Sequence, residues 1–433
     1  MQKVNQVLSG GVVPLLLLVT GIAFFLLFGW RIVAAPRRAA RAMLGKEKKS
    51  ALRALAVALA GTLGVGNIAG VATAIVLGGA GAVFWLWVSA LLAMLLKYAE
   101  ILLALRNRHY DSEGRAHGGA MYYIKKYIGG TTGRFLAILF ALFCLACTFM
   151  LGGVIQSNAA AVAMEQALGV PRVWVGVLLG LSTAAILACG TRRVEDACTL
   201  IVPFVCLLFS VASVAVLILR REAIPAAFAA IFKGAFSLQS GASGVLGFFT
   251  SRALRYGVAR GLISNEAGCG TAPIAHAAAG TKSPAAQGVW GIVEVFVDTV
   301  LLCTVTALVL LVSGQPLTGD GMALALHAYG AVLGGIAPPV LALSVLLFAF
   351  ATLLCWSHYG AECLYYLTGR QGTARWLALP IGVAALLGAF FAAELLWELT
   401  DLIIALMAVL NIAALWAGRG DITQETRRLF EKK

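Results

Sequence analysis

Charge is scarce in this chain. Of its 433 residues only 12% are Asp, Glu, Lys or Arg, about half the share a soluble domain carries. Acids are the scarcer sign, with 19 Asp and Glu against 33 Lys and Arg. The five histidines are scattered, and no H-x-x-x-H pair or phosphate-binding glycine loop occurs. Nine cysteines lie in apolar runs, and Cys144 and Cys147 form a single C-x-x-C with no second pair. These absences speak against a nucleotide-binding enzyme, a His- or Cys-ligated metal centre and a disulfide scaffold. A cleavage site is missing too. The run Val12 to Trp30 passes straight into a basic stretch, so it reads as a membrane span rather than a signal peptide.

What the chain has is apolar length. It is 61% hydrophobic, with a mean hydropathy of +0.92. Many runs exceed the roughly 20 helical residues that cross a hydrocarbon core. We expect an all-α polytopic membrane protein of about 11 spans forming one integral unit, with membrane lipids as its surroundings. The net charge of +14 does not point to nucleic acid, because the basic residues sit in short loops between apolar runs. With the N-terminus outside, 24 Lys and Arg fall on the inner side and 8 on the outer side. That bias places the C-terminus in the cytoplasm and the chain in the plasma (inner) membrane.

One short stretch occurs twice. Residues 67–74 read NIAGVATA and residues 265–272 read NEAGCGTA, agreeing at five of eight positions with an offset of 198 residues. Each copy follows a glycine-bearing run: Gly61, Gly64 and Gly66 before the first, Gly257 and Gly261 before the second. Paired Gly-interrupted segments in two halves of a chain are the sequence mark of a transporter binding site. The topology makes the copies run in opposite directions, which predicts a five-plus-five inverted repeat. Residues 1–53 are then an extra span with a basic loop. The halves are 54–219 and 241–418, joined by an outer connector at 220–240, and 419–433 is a cytoplasmic tail. Both motif helices are expected to unwind, around 62–67 and 261–266. The stretches 106–134 and 314–335 read as loops.

Broken helices leave orphan amides and carbonyls that must find partners within the membrane. The amides of Gly66, Asn67 and Ile68 suit a carboxylate, and the carbonyls of Leu262 to Ser264 suit an ammonium. Carbonyls near Gly61, Gly64 and Val65 suit a hard cation such as sodium. Asn67 and Asn265 also fit as caps of the half-helices. Gln156 is polar within a span. Thr352 and Trp356 are four apart on one helix face, a hydroxyl and a bulky ring suited to a cation ligand and a pocket wall. Glu266 begins a half-helix, where an acid is electrostatically favoured; a structural role and a proton or cation site both fit. Glu100, Asp196, Glu294, Asp298, Glu362 and Asp401 read mainly as interfacial or paired charges, and His276 and His358 as structural histidines.

GVGNIAGVATAIVLGGAGAVFWLWV (64–88), GGAMYYI (118–124), RGLISNEAGCGTAPIAHAAA (260–279) and FAFATLLCWSHYGAECLYYL (348–367) resemble the alanine or glycine:cation symporter family, also called the sodium:alanine symporter family. The similarity runs in register from about residue 50 to 415. It implies the leucine-transporter-type fold, and import of alanine, glycine and similar small amino acids with sodium or protons and no other cofactor. It also implies binding roles for Gly66, Asn67, Gln156, Thr352 and Trp356. One departure stands out: the family's G-T-G-N is Gly64-Val65-Gly66-Asn67 here, so any side-chain ligand at position 65 is lost. A polytopic membrane enzyme or a structural subunit is the alternative, but no cluster with nucleophile or metal spacing favours it.

Overall fold

The computed structural model describes residues 8–45, 47–236, 252–390 and 394–431. Nearly all of them are helical. The first span, α1 (Val13–Ala34), leads into a short amphipathic helix, α2 (Pro36–Met43), that carries Arg37, Arg38 and Arg41. The first motif helix is broken. Its halves, α3 (Lys48–Thr62) and α4 (Ala69–Gly78), meet at a bend of 66°. Leu63 and Gly64 leave the helix, a single 3₁₀ turn covers Val65–Asn67, and the helix resumes after Ile68. The unwound stretch therefore falls where the sequence predicts it.

After α5 (Ala82–Arg106), the expected loop at 106–134 is largely structured. It holds an antiparallel hairpin, β1 (His109–Tyr110) with β2 (Ala116–His117), and a helix, α6 (Ala120–Ile128). The GGAMYYI motif is the start of that helix; its Tyr123 and Ile124 are buried, which a polar loop reading overlooks. Next come α7 (Gly130–Leu168), α8 (Arg172–Ala188) and α9 (Thr191–Leu219). In the connector, α10 (Ile224–Ala235) lies against α5, where Trp85 Nε1 donates to the Ala235 carbonyl at 3.0 Å. The rest of that connector and the start of the next span lie outside the described residues.

The second motif helix is also broken, a few residues later than predicted. Helix α11 runs Arg252–Asn265, and α12 covers only Ala272–Ala277. Residues 261–265 stay helical, and the break is 266–271. Gly268 and Gly270, with φ of 85° and 79°, supply the left-handed backbone that makes the break there. The last spans are α13 (Pro284–Val312), α15 (Ala337–Thr368), α16 (Thr373–Gly388) and α17 (Glu394–Ala417), followed by a tail helix, α18 (Arg419–Phe430). Before α15, the expected connector at 314–335 contains α14 (Gly321–Leu333), capped by Asp320, whose side chain accepts from Met322 N and Ala323 N. Three of the spans, α1, α7 and α13, widen into π-helical turns at Phe25–Gly29, Thr148–Ile155 and Phe296–Cys303.

Seven described helices are long and apolar enough to cross a membrane; the bent α3–α4 pair, the shorter apolar α8 and α16, and the second broken helix bring the count to eleven. Their outer surfaces are apolar: Leu181, Leu200, Phe204 and Leu207 are exposed on α8 and α9, as lipid-facing side chains must be. Elements of equal rank in the two halves pack on one another: α5 on α13, α7 on α15 and α8 on α16. The broken helices run antiparallel, α3 against α12 and α4 against α11. This is the inverted repeat that the duplicated motif predicts.

Candidate functional site

The first break is where the predicted residues converge. A side chain at Gly64 would be crowded: a Cβ there would lie 3.2 Å from Thr352 Oγ1 and 3.3 Å from Gln156 Oε1. Gln156 reaches this point because it directly follows the π-helical turn of α7, a distortion common at working sites. Thr352 Oγ1 donates to Phe348 O at 2.9 Å and lies 3.3 Å from Leu63 O, the carbonyl released by the break. Gly61 sits over the next turn of α15, where a Cβ would stand 2.9 Å from Cys355 Sγ and 3.1 Å from the Tyr359 hydroxyl. Trp356 is fully buried, its Cβ pressed against Gly152 and its ring edge-on to Tyr359 at 5.6 Å. Three buried polar atoms here have no hydrogen-bond partner: Gln156 Oε1, an acceptor, Trp356 Nε1, a donor, and the Tyr359 hydroxyl. Leaving such atoms unpaired costs about 1–3 kcal/mol each.

Asn67 does more than cap. Its Oδ1 accepts from Gly64 N at 3.1 Å, holding the break in shape, while Nδ2 donates to Asp298 Oδ1 at 2.7 Å and to Asp298 O at 3.1 Å. Ser264, in the last turn of α11, donates to the other Asp298 oxygen at 3.1 Å, and Thr299 to the same oxygen at 2.6 Å. Asp298 thus ties the two broken helices together from the π-helical turn of α13. From sequence Asp298 reads only as an interfacial or paired charge. The available signal was an acid inside an apolar run.

The other predicted residues divide. Ile68 and Val65 are buried in the main core, and the Val65 carbonyl is taken by Ile68 N within the 3₁₀ turn. Leu262 faces away from the first break and packs with Leu17 and Val258 beside α1. Its carbonyl, with those of Ile263 and Ser264, belongs to the last helical turn before the second break. Asn265 caps that break, its Oδ1 accepting from Ala267 N.

A cavity of about 790 Å³ opens at one end of the molecule, lined by Arg53, Arg108, His117, Cys189, Ile274 and His358 among others. His358, in its wall, lies on α15, the helix that also carries Thr352 and Trp356. The same end gathers the basic loops: Arg53 pairs with Glu195 at 3.1 Å, and Arg106 with Asp421 at 3.0 Å. At the cavity wall the His117 ring stacks on Tyr365 at 3.9 Å. Its Nδ1 is 2.8 Å from Glu362 Oε2, and its Nε2 is 3.1 Å from Asp111 Oδ2. Burial alone would lower the basicity of His117, but the hydrogen bonds and charges of Glu362 and Asp111 outweigh it, and the net direction is up.

Broken antiparallel helices meeting in the interior of eleven spans define a secondary transporter of the leucine-transporter fold. The solved structures agree. The fold matches the transporter MhsT, crystallised with L-phenylalanine, at a TM-score of 0.60 and 13% identity, covering 88% of this chain and 92% of that one. A manganese transporter from Eremococcus coleocola matches at 0.50 and 16%, covering 89% and 76%. The sequence is more specific. The chain belongs to the sodium:alanine symporter family, whose profile matches residues 1–433. It is 35% identical over 443 residues to the sodium/alanine symporter AgcS of Methanococcus maripaludis, covering 99% of this chain and 96% of that one. An uncharacterized transporter of Haemophilus influenzae is 37% identical over 430 residues, covering 97% and 93%. A probable sodium/glutamine symporter of Bacillus subtilis, GlnT, is 33% identical over 383 residues, covering 88% and 78%.

Proposed function

We propose that the chain imports alanine and glycine across the plasma membrane together with sodium, the halves 54–219 and 241–418 rocking about the two breaks. The observation that carries this is the convergence of Thr352 Oγ1, Leu63 O and Gln156 Oε1 on the side-chain-free face of Gly64. Two oxygens 3.3 Å apart can both ligate one hard cation at about 2.3–2.6 Å, by analogy with calcium. The helix-end carbonyls near Gly61 and Gly64 complete the sodium site. Val65 contributes packing from its side chain, and any ligand there is its backbone.

The amino acid lies next to it. Its carboxylate takes the Gly66 amide, helped by the partial positive charge at the start of α4; the amides of Asn67 and Ile68, expected to share it, already donate to Gly64 O and Val65 O within the 3₁₀ turn. Its ammonium faces the last-turn carbonyls of Leu262 to Ser264. Gln156 Oε1 supplies a further acceptor, and Trp356 closes the side-chain pocket. The name of AgcS supports alanine, and the name of GlnT makes glutamine the competitor to include. The basic end of the molecule is cytoplasmic in this reading, with the N-terminus outside.

The test is radiolabelled alanine uptake into proteoliposomes under an imposed sodium gradient, with glycine, glutamine and leucine as unlabelled competitors. Uptake that needs sodium and yields to glycine supports the reading. Uptake indifferent to sodium overturns it. Thr352→Ala is expected to raise the sodium concentration needed for half-maximal uptake; an unchanged sodium requirement removes Thr352 from the site.

A further inference from the structure

The second break holds a group of buried ionisable side chains that the reading above does not use. Lys97 and Glu100, three apart on one face of α5, are fully buried. Glu266 in the break, His276 on α12 and Glu294 on α13 are buried as well. Lys97 lies within electrostatic reach of Glu294, Glu100 and Glu266 together. Its ammonium is 3.2 Å from Glu294 Oε1, and His276 Nε2 is 3.1 Å from Glu294 Oε2. Gln287 Nε2 approaches His276 Nδ1 at 2.8 Å. Glu294 thus has the Lys97 ammonium on one oxygen and the His276 ring on the other.

Glu100 and Glu266 have no such match. Glu100 Oε1 accepts from Gly270 N at 3.1 Å and from Asn411 Nδ2 at 2.5 Å, but Oε2 is buried with no partner. Glu266 Oε2 accepts from Thr271 Oγ1 at 2.7 Å. Its backbone φ of 51° is the one positive value at a non-glycine among the described residues. Such a conformation costs about 1–3 kcal/mol and persists where the side chain is held for a purpose. Three carboxylates facing one lysine leave the cluster at a net charge of −2 if all are ionised, and a buried charge of that size is not carried uncompensated.

We infer that Glu100 and Glu266, with Lys97 beside them, form a proton-binding site at the second break, separate from the proposed sodium site. A proton rather than a metal ion fits, because a hard cation needs about six converging oxygens. Among the described residues no group of three or more His, Cys, Asp or Glu comes together as a metal cage. Taking up a proton converts one carboxylate to a carboxyl. The proton belongs to the cluster rather than to one residue. Its path leads to the basic end: α12 carries His276 on the cluster side, while Ile274 and Ala278 line the cavity. The site also reports the shape of the break, since Glu100 holds the Gly270 amide and Glu266 is part of the break itself. Proton binding and the movement of α12 are therefore linked, which makes the proton a second coupling ion. That last step rests on the symport reading above.

Two measurements test it. Infrared difference spectra of the purified full chain in H₂O and D₂O, without substrate, are expected to show the carbonyl stretch of a protonated buried carboxyl. The band should lose intensity in Glu100→Gln and in Glu266→Gln, each checked for native helicity and monodisperse elution, and lose most in the double variant. If one variant misfolds, the other still decides. A band absent from the wild type, or equal in the folded variants, overturns the inference. The second measurement loads proteoliposomes with a pH-sensitive dye and adds alanine and sodium. Lumen acidification that accompanies uptake in the wild type and is lost in Glu266→Gln supports a coupled proton. Sodium-driven alanine uptake with no acidification overturns the coupled proton and leaves the symport reading standing. No alanine uptake at all removes that reading, and the infrared result still decides the proton site.

Discussion

Trp356 shows how far a single residue can be read. Its spacing from Thr352 marks a shared helix face, and the structure puts both against the first break. What the spacing does not reveal is the partner. Gly152 in the π-helical turn of α7 removes a side chain so that Trp356 can pack flush. A packed interior responds to single methylenes, so the pocket should take glycine and alanine and refuse leucine. Trp356→Ala is expected to let excess unlabelled leucine compete with labelled alanine, and to cost about 3–5 kcal/mol of stability from the lost burial. Leucine inhibition that is already strong in the wild type, or unchanged in the variant, removes Trp356 as the size gate. Lys97 is the contrasting residue. Lys97→Met leaves Glu294 buried without its ion pair, which costs about 3–5 kcal/mol. A thermal melt that barely moves would mean the pair is not formed. Neither Lys97 nor Asp298 announces its partner in sequence, because the partners come from other helices.

At the scale of elements, the motif located both breaks, but placed the second too early. Glycine content drew the expectation to Gly261. That glycine serves helix packing instead, lying under Ser89 and Leu86 of α5. The unwinding is set by Gly268 and Gly270, the positions with left-handed backbone. The stretch between α5 and α6 is another element that polarity hid. Gly and Asp suggested a loop, yet the β1–β2 hairpin clamps His117 between Glu362 and Asp111. This clamp gives a pH prediction. A histidine whose basicity is raised by folding adds its stabilisation fully below the ordinary His range, near 6.5, and loses it as pH rises through the raised value. The hairpin is therefore held in acid and loosens in alkali. Amide hydrogen exchange over 109–117, taken as the ratio of His117→Gln to wild type at each pH, should be well above one at low pH and fall towards one as pH rises. A ratio flat across that range would show that the clamp does not depend on the charge of His117.

For the whole molecule, apolar length and basic loops were enough to foresee eleven spans, and the repeat was enough to foresee their antiparallel arrangement. Which end is open was not legible, because a cavity is a property of packing between distant helices. The cavity at the basic end offers its own probe. Of the nine cysteines, none is in a disulfide, and Cys189 is the exposed one, lying in the cavity wall. If the basic end faces the cytoplasm, a membrane-impermeant maleimide should label Cys189 in inside-out vesicles and spare it in right-side-out vesicles. Alternating access adds a second expectation. Substrate and sodium bound at the breaks favour whichever conformation holds them better, and the labelling rate must follow that shift. Sodium with alanine should change the rate in inside-out vesicles, while sodium with leucine should behave as sodium alone. Labelling from the outside would reverse the topology. Labelling from the inside with a rate indifferent to alanine would keep the topology, but would mean that this cavity is not the route between the breaks and the cytoplasm.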